Sequence, residues 1–519
     1  VMDREAMLGR ARDPDRTWDL LIIGGGATGL GCAIESASRG YRTLLVDRSD
    51  FAKGTSSRST KLVHGGVRYL QQGNVALVLE ALRERGRLRQ NAPHLVHDLP
   101  FVVPNYDWWE APFYGVGLRL YDVLAGKLGF GRSRNLTREE TLERLPTIET
   151  EGLRGGVIYY DGQFDDARLA INMARTAVDL GGTLLNYVPV TGLLKSDGVV
   201  GGVRARDLLA GQDLELRARV VINATGAFTD AVRQMDEPRA RPMIQPSQGV
   251  HLVLDGSFLP GGNAIMVPHT DDGRVLFAIP WYDRVVVGTT DTPIEEVRLE
   301  PRPQEEEIEF LLSHAARYLT KDPSREDVLS AFAGIRPLVA SEGEGETAAL
   351  SRDHTLHISG SGLVTIAGGK WTTYRKMAED TVDQAALLAG LEEKPSVTAE
   401  LRIHGYHQDA ASFGVFERYG ADAPRLRDLI RQDSELGKVL DPRLPICRGE
   451  VVWAVRHEMA LTVDDFLSRR TRALVWDARA AKKMAPRVAR LMAKELGRDQ
   501  AWQVKQVEAF EALADQYLP

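Results

Sequence analysis

The sequence predicts an α/β fold built on a parallel sheet, extended by an antiparallel β region and a C-terminal stretch of helix. Three observations predict it. At 18–39 an apolar strand runs straight into a glycine cluster and then a helix. Between about 241 and 325, short apolar runs alternate with Gly, Pro and Asp turns. From about 406 onward, apolar residues recur at helical spacing. At 519 residues the chain exceeds one compact core, so two or three domains are expected.

The first strand is WDLLII, 18–23, and a second apolar strand at 41–46 follows the helix at 27–39. This strand–loop–helix–strand order opens a doubly wound sheet. A helix is expected at 75–89 with its arginines on the outer side. The stretch from about 100 to 160, rich in aromatics and prolines, reads as an excursion. A helix at 167–180, a strand at 182–188, a meander through 199–204 and 214–220, and a buried strand at 220–223 ending in ATGAFTD come next. The runs 250–254, 264–267, 275–279 and 285–289 predict an antiparallel sheet, and an acidic first turn after Pro303 predicts a helix over 302–318. A hairpin is expected from 354–358 and 363–367, then a helix at 373–389, a linker at 392–396 and the helical remainder, which Pro486 should kink or split.

Composition excludes several classes. With 43% hydrophobic and 26% charged residues the chain is an ordinary folded protein, not a disordered one. Its net charge of −7 argues against a nucleic-acid partner. Cys32 and Cys447, the only two cysteines, build neither a disulfide framework nor a cysteine zinc site, and a reducing cytoplasm suits them. No metal site is expected. The charged N-terminal segment lacks a signal-peptide core, and no run of about eighteen apolar residues predicts a membrane-spanning helix.

Gly24, Gly26 and Gly29, with Ala27 and Thr28 between them, satisfy the G-x-G-x-x-G pattern of a dinucleotide site. Gly24 permits the turn, Gly26 lets backbone approach a pyrophosphate at the helix N-terminus, and Gly29 allows close helix–strand packing. Asp47 closes the second strand, where a carboxylate binds the adenosine ribose. Thr55, Ser56, Ser57 and Ser59 form a row of hydroxyls for the pyrophosphate and the flavin edge. The late AGGK turn at 367–370 offers a second backbone cradle. A dinucleotide held from both ends of a long chain suits FAD better than NAD. The expected cofactor set also takes in Lys61, Val188, Gly226, Gly369, Lys370, Trp371 and Thr372.

These residues resemble the FAD-dependent glycerol-3-phosphate dehydrogenases. The resemblance is carried by GGGATGLG (24–31), DFAKGTSSRSTKLVHGGVRYL (50–70), GIRPL (334–338), SRDH (351–354), AGGKWTTYR (367–375) and AVRHEMALTVDDFLSRRTRAL (454–474), in family order. Trp371 is similar to the mitochondrial-type signature. The lack of a calcium-binding tail suggests a tail-less, bacterial-type member. The resemblance implies a Rossmann-like FAD-binding domain of the glutathione-reductase type, an antiparallel β substrate domain and a C-terminal α-helical domain. We expect these over 17–100, 155–240 and 325–392; over 101–154 and 241–324; and over 400–519. It further implies noncovalent FAD, a quinone acceptor, a homodimer, and peripheral attachment to the inner face of the cytoplasmic membrane.

The implied reaction takes sn-glycerol 3-phosphate to dihydroxyacetone phosphate, with hydride passing from C2 to flavin N5. A small dianion needs cationic donors, preferably forked arginines. Arg68, Tyr69, Arg336, Arg352 and Lys370 match family positions that line the substrate pocket. Arg68, Arg352 and Lys370 are assigned to phosphate and oxygen binding, and Arg336 to the reacting hydroxyl. His251 and His64 are the candidates for the base, since histidine titrates near the working pH. His251 alternates with Val250 and Leu252 and so points away from them. Alternative readings are a soluble glycerol-3-phosphate oxidase using oxygen, an amine or amino-acid oxidase of the same flavin superfamily, and a nonenzymatic flavoprotein.

Overall fold

Two large sheets carry the chain. The computed structural model describes residues 2–66, 75–107, 110–267, 275–340 and 354–519, without the side chains of 110–116 and 127. The first sheet runs in the order His354–Ile358, Val364–Gly368, Gln212–Asn223, Thr17–Ile23, Thr43–Val46, Thr183–Leu185. The last five strands are parallel, with Leu20 opposite both Val220 and Thr43. Their interior strands are apolar without alternation because both faces are covered. Helices Ala27–Ser38, Asp166–Asp179 and Tyr374–Leu388 pack together as one covering layer. Strands Val190–Ser196 and Val199–Asp207 fold back antiparallel onto the long strand Gln212–Asn223, as the expected meander. The hairpin predicted at 354–367 forms the sheet edge.

The second sheet runs Thr292–Pro293, Ile244–Asp255, Arg284–Gly288, Leu276–Trp281, Ala264–Val267, Val96–Asn105, Gly155–Phe164, Leu62–Val63. Strand Val328–Val339 pairs along the other side of Ile244–Asp255. All pairs are antiparallel except Ala264–Val267 with Val96–Asn105. This moves the expected domain limits. Strands Leu62–Val63, Gly155–Phe164 and Val328–Val339, assigned to the cofactor unit, pair within the second sheet instead. The chain crosses between sheets several times, and an apolar strand pattern does not state which sheet edge it joins.

The C-terminal region is helical, with one small ribbon of Val439–Asp441 and Leu444–Cys447. Its core takes in Val253, Trp281, Val286 and Phe332 from the second sheet, so it docks on that sheet's face. Helix Ala478–Leu496 passes through Pro486 without splitting. Pro486 lies on the exposed side, where the carbonyl it frees one turn back is near water. Arg85 in helix Val75–Asn91 also departs from expectation. It turns inward and pairs with Asp161 at 2.7 Å, while Arg83 and Arg89 stay outside. Among the described residues, no helix is long and apolar enough to cross a membrane.

Candidate active site

A cavity of about 1060 Å³ lies between the two sheets, walled by the glycine loop at one side and the second sheet at the other. The loop forms because Gly24 sits at φ 108°, and a Cβ on Gly29 would stand 1.8 Å from the Gly24 carbonyl oxygen. The strand can therefore run directly into helix Ala27–Ser38. Gly26 caps that helix without a side chain, leaving its N-terminal end facing the cavity. Asp47 accepts the Gly25 N–H at 2.6 Å and the Ser49 N–H at 2.7 Å. Removal from water pushes its carboxyl up to about 6, although the two N–H donors oppose the shift.

The hydroxyl row is stitched to distant parts of the chain. Ser56 Oγ accepts the Ala27 N–H at 2.9 Å, and the Trp371 indole donates to the Ser56 carbonyl at 2.9 Å. Thr55 donates to the Ile335 carbonyl at 2.6 Å, tying the loop to the second sheet. Thr372 accepts the His64 N–H at 3.2 Å. Gly24, Gly26, Ala27, Thr28, Asp47, Thr55, Ser56, Ser59, His64, Val188, Gly226, Gly369, Lys370, Trp371 and Thr372 all line the cavity, as do His251 and Arg336. The structure thus brings together residues spread over more than three hundred positions. Arg68, Tyr69 and Arg352 lie outside the described residues.

Ser57 and Lys61 stand apart from the wall. The Lys61 ammonium is drawn into the interior by Asp166 at 2.7 Å and the Ser57 carbonyl at 3.0 Å. Burial pushes Lys61 down to about 8 against the pull of Asp166. Gly29 serves packing, as its spacing implied, and also stays off the wall.

His251 lies on strand Ile244–Asp255 with its side chain opposite to Val250 and Leu252, which enter a separate apolar core. Its ring stacks on Phe332, the residue directly across the strand pair, at 4.9 Å between centroids. Its Nε2 shares a hydrogen bond with the Thr60 hydroxyl at 2.9 Å. Burial, then the positive charges of Lys61 and Arg336, hold it well below the usual histidine range. Its ring is therefore neutral and, unlike the histidine the sequence led us to expect, does not titrate near the working pH.

Arg336 is fixed by groups that no motif announced. It donates to Asp291 at 3.2 Å, to Thr289 Oγ at 3.2 Å and to the Thr290 carbonyl at 3.0 Å. A Cβ on Gly249 would stand 2.5 Å from its Nη2, so the guanidinium passes directly over that glycine. The only signals were the run Gly288–Thr289–Thr290–Asp291 after a strand and a glycine beside His251. Neither has a meaning until the strands are paired.

A third set of charges ties the C-terminal region to the cofactor loop. Asp50 receives Arg470 at 2.7 Å and Arg469 at 2.6 Å, all three buried. Arg472 donates to the Ser57 carbonyl at 2.7 Å and to Asp166 at 3.0 Å. The segment 454–474, which resembled the family without an assigned role, is this buried ionic seam.

The residues fit FAD. The glycine loop leaves the N-terminal end of helix Ala27–Ser38 open to the cavity as a backbone cradle, with Gly26 placing no side chain in it. The Asp47 carboxylate offers acceptors for ribose hydroxyls. The cavity's size is that of a large cofactor plus a small substrate.

Comparison with known proteins agrees. The family profile described as FAD dependent oxidoreductase matches residues 19–375, and that described as C-terminal domain of alpha-glycerophosphate oxidase matches 355–503. The human mitochondrial glycerol-3-phosphate dehydrogenase is 42% identical, covering 95% of this chain and 72% of that protein. The Arabidopsis thaliana mitochondrial enzyme is 41% identical over 94% of this chain and 85% of its own. The FAD-complexed glycerol-3-phosphate dehydrogenase structure from Bacillus halodurans superposes with a TM-score of 0.81 at 30% identity, covering 100% of this chain and 98% of that one. Sequence, cavity and relatives converge, and the chain belongs to the FAD-dependent glycerol-3-phosphate dehydrogenase family.

Proposed function

We propose that this chain oxidises sn-glycerol 3-phosphate to dihydroxyacetone phosphate and passes the electrons to a membrane quinone. The observation that carries the reading is Arg336, held as a fixed donor in the same cavity as the dinucleotide loop. When bound, FAD supplies the acceptor for the C2 hydride. Gly24, Gly26, Thr28, Asp47, Ser56, Gly369 and Trp371 would hold it.

The remaining chemistry belongs to the side chains. Arg336 stabilises negative charge developing on the C2 oxygen, since its guanidinium is preset at the cavity wall by Asp291, Thr289 and Thr290. His251, neutral at working pH, takes the hydroxyl proton, and its hydrogen bond with Thr60 fixes the ring. His64 is the second candidate base. Lys370, with Arg68 and Arg352 by resemblance, binds the phosphate, and Tyr69 contributes to the same pocket. Peripheral membrane attachment is supported by Leu120 and Val123 of helix Glu110–Ala125, which are 47% and 76% exposed. A homodimer on the inner face of the cell membrane completes the reading.

Anaerobic mixing with glycerol 3-phosphate should bleach the flavin, and a quinone analogue should restore its colour far faster than oxygen does. A flavin that glycerol 3-phosphate leaves oxidised refutes the substrate. Rapid reoxidation by oxygen alone makes the chain an oxidase.

A further inference from the structure

We propose that Asp291 is a positioning residue for the alcohol oxidation. It holds the Arg336 guanidinium against the cavity wall as a fixed donor for the substrate oxygen rather than a clamp for the phosphate. The inference rests on the function proposed above.

The sheet register produces the arrangement. Ser247, on strand Ile244–Asp255, stands between two neighbours, with Arg336 opposite on one side and Pro293 on the other. Asp291 precedes the short strand Thr292–Pro293, so its side chain reaches over Ser247 toward Arg336. One carboxylate oxygen, Oδ1, accepts both the Ser247 hydroxyl and Arg336 Nη1, the latter at 3.2 Å. The other guanidinium nitrogen, Nη2, is held by Thr289 Oγ at 3.2 Å and the Thr290 carbonyl at 3.0 Å. The side chain thus has anchors on both prongs, and Gly249 beneath it leaves the space it occupies. Asp291, Thr289, Thr290, Gly249 and Arg336 all line the cavity, so the anchored group faces the reaction space.

Charge gives the division of roles. A guanidinium that already shares its charge with a carboxylate attracts a phosphate dianion weakly, because the carboxylate repels it. The same pairing costs little for a neutral alcohol. It fixes the donor's direction before the oxygen becomes negative, which is when a preset donor acts most strongly. Asp291 therefore acts through Arg336 and not on the substrate.

The test compares anaerobic flavin reduction by glycerol 3-phosphate in the FAD-loaded wild type, Asp291→Asn, Asp291→Glu, Arg336→Lys and the Asp291→Asn/Arg336→Lys double variant. Asp291→Asn should lower the limiting reduction rate about 10- to 100-fold, the scale of a misplaced catalytic group. Its apparent dissociation constant for substrate should stay within about threefold, because the loss falls on the transition state. Asp291→Glu should recover part of the rate, and the double variant should be no slower than Arg336→Lys alone, because the two residues act as a unit. An unchanged limiting rate in Asp291→Asn, or independent and additive losses, overturns the proposal. So does a rate loss accompanied by loss of bound FAD or of thermal stability, since Asp291 would then be structural. A wild-type flavin that glycerol 3-phosphate does not reduce overturns the function, and the role of Asp291 falls with it.

Discussion

Asp47 is half-buried beside the cavity with a carboxyl pushed up to about 6 by its removal from water. Between its ordinary 3.8 and about 6, the folded chain binds more protons than the unfolded one. This group's contribution to the stability of the cofactor-free protein therefore declines as pH rises through that window. Ribose hydroxyls donate hydrogen bonds and favour the ionised form, so FAD binding should release a proton. We expect FAD affinity to weaken below pH 6, approaching about tenfold per pH unit. Fluorescence titration of the stripped protein from pH 5 to 7.5 measures this, and Asp47→Asn should flatten the profile. Gly249 gives a second expectation. Its replacement by alanine should keep the fold and the FAD, since the atoms it would meet are side-chain ends of Arg336 and Thr289 and not backbone. Displacing Arg336 by about an ångström should slow anaerobic flavin reduction roughly a hundredfold; a normal rate would show that the guanidinium need not cross that glycine. Gly24, Gly26 and Asp47 were legible in the sequence because they belong to one continuous strand–turn–helix–strand unit whose spacing is itself the signal. Asp291 and Thr60 were not, because each meets its partner across strands whose register no local pattern states.

At the scale of elements, His404 fastens the chain entering the helical region to helix Asp166–Asp179. Its ring contacts Asp179 at 2.6 Å and Asp422 at 2.9 Å, and its N–H donates to Thr176 Oγ at 2.8 Å. Burial works against its charge, but the two carboxylates outweigh burial and raise its pKa above 6.5. The stabilisation is full below 6.5 and is lost as pH rises through the higher folded value. Hydrogen exchange of 402–422, corrected for intrinsic base catalysis, should show local opening increasing from pH 6 to 8. His404→Gln should abolish that change, and an equal slope in both proteins would exclude the histidine as its source. The elements themselves were largely legible. Strand and helix periods place the glycine-loop unit, the meander, the edge hairpin and the C-terminal helices close to where they stand. Sheet membership was not, as Gly155–Phe164 and Val328–Val339 illustrate: each is apolar enough to suit either sheet.

At the scale of the whole molecule, the buried seam between Asp50 and Arg469–Arg470 joins positions 419 and 420 residues apart. Arg470→Met leaves the buried Asp50 short of a counter-charge and should cost about 3–5 kcal/mol of stability. We expect a lower thermal midpoint and weaker FAD retention; an unchanged midpoint would make Arg470 dispensable to the seam. The family signature at 454–474 was readable as a resemblance, yet its purpose was hidden, because a run of arginines in sequence reads equally as a solvated surface.

That seam also sets a timetable. Asp50 is made early, and Arg470 emerges 420 residues later. At about 5–20 residues per second, that interval lasts roughly 20–80 s. For that time Asp50 lacks both guanidiniums that accompany it into the interior. The seam between the cofactor loop and the helical region therefore forms late, only once residue 470 has been made, and we expect a chain halted before residue 469 to lack it and to hold FAD less firmly.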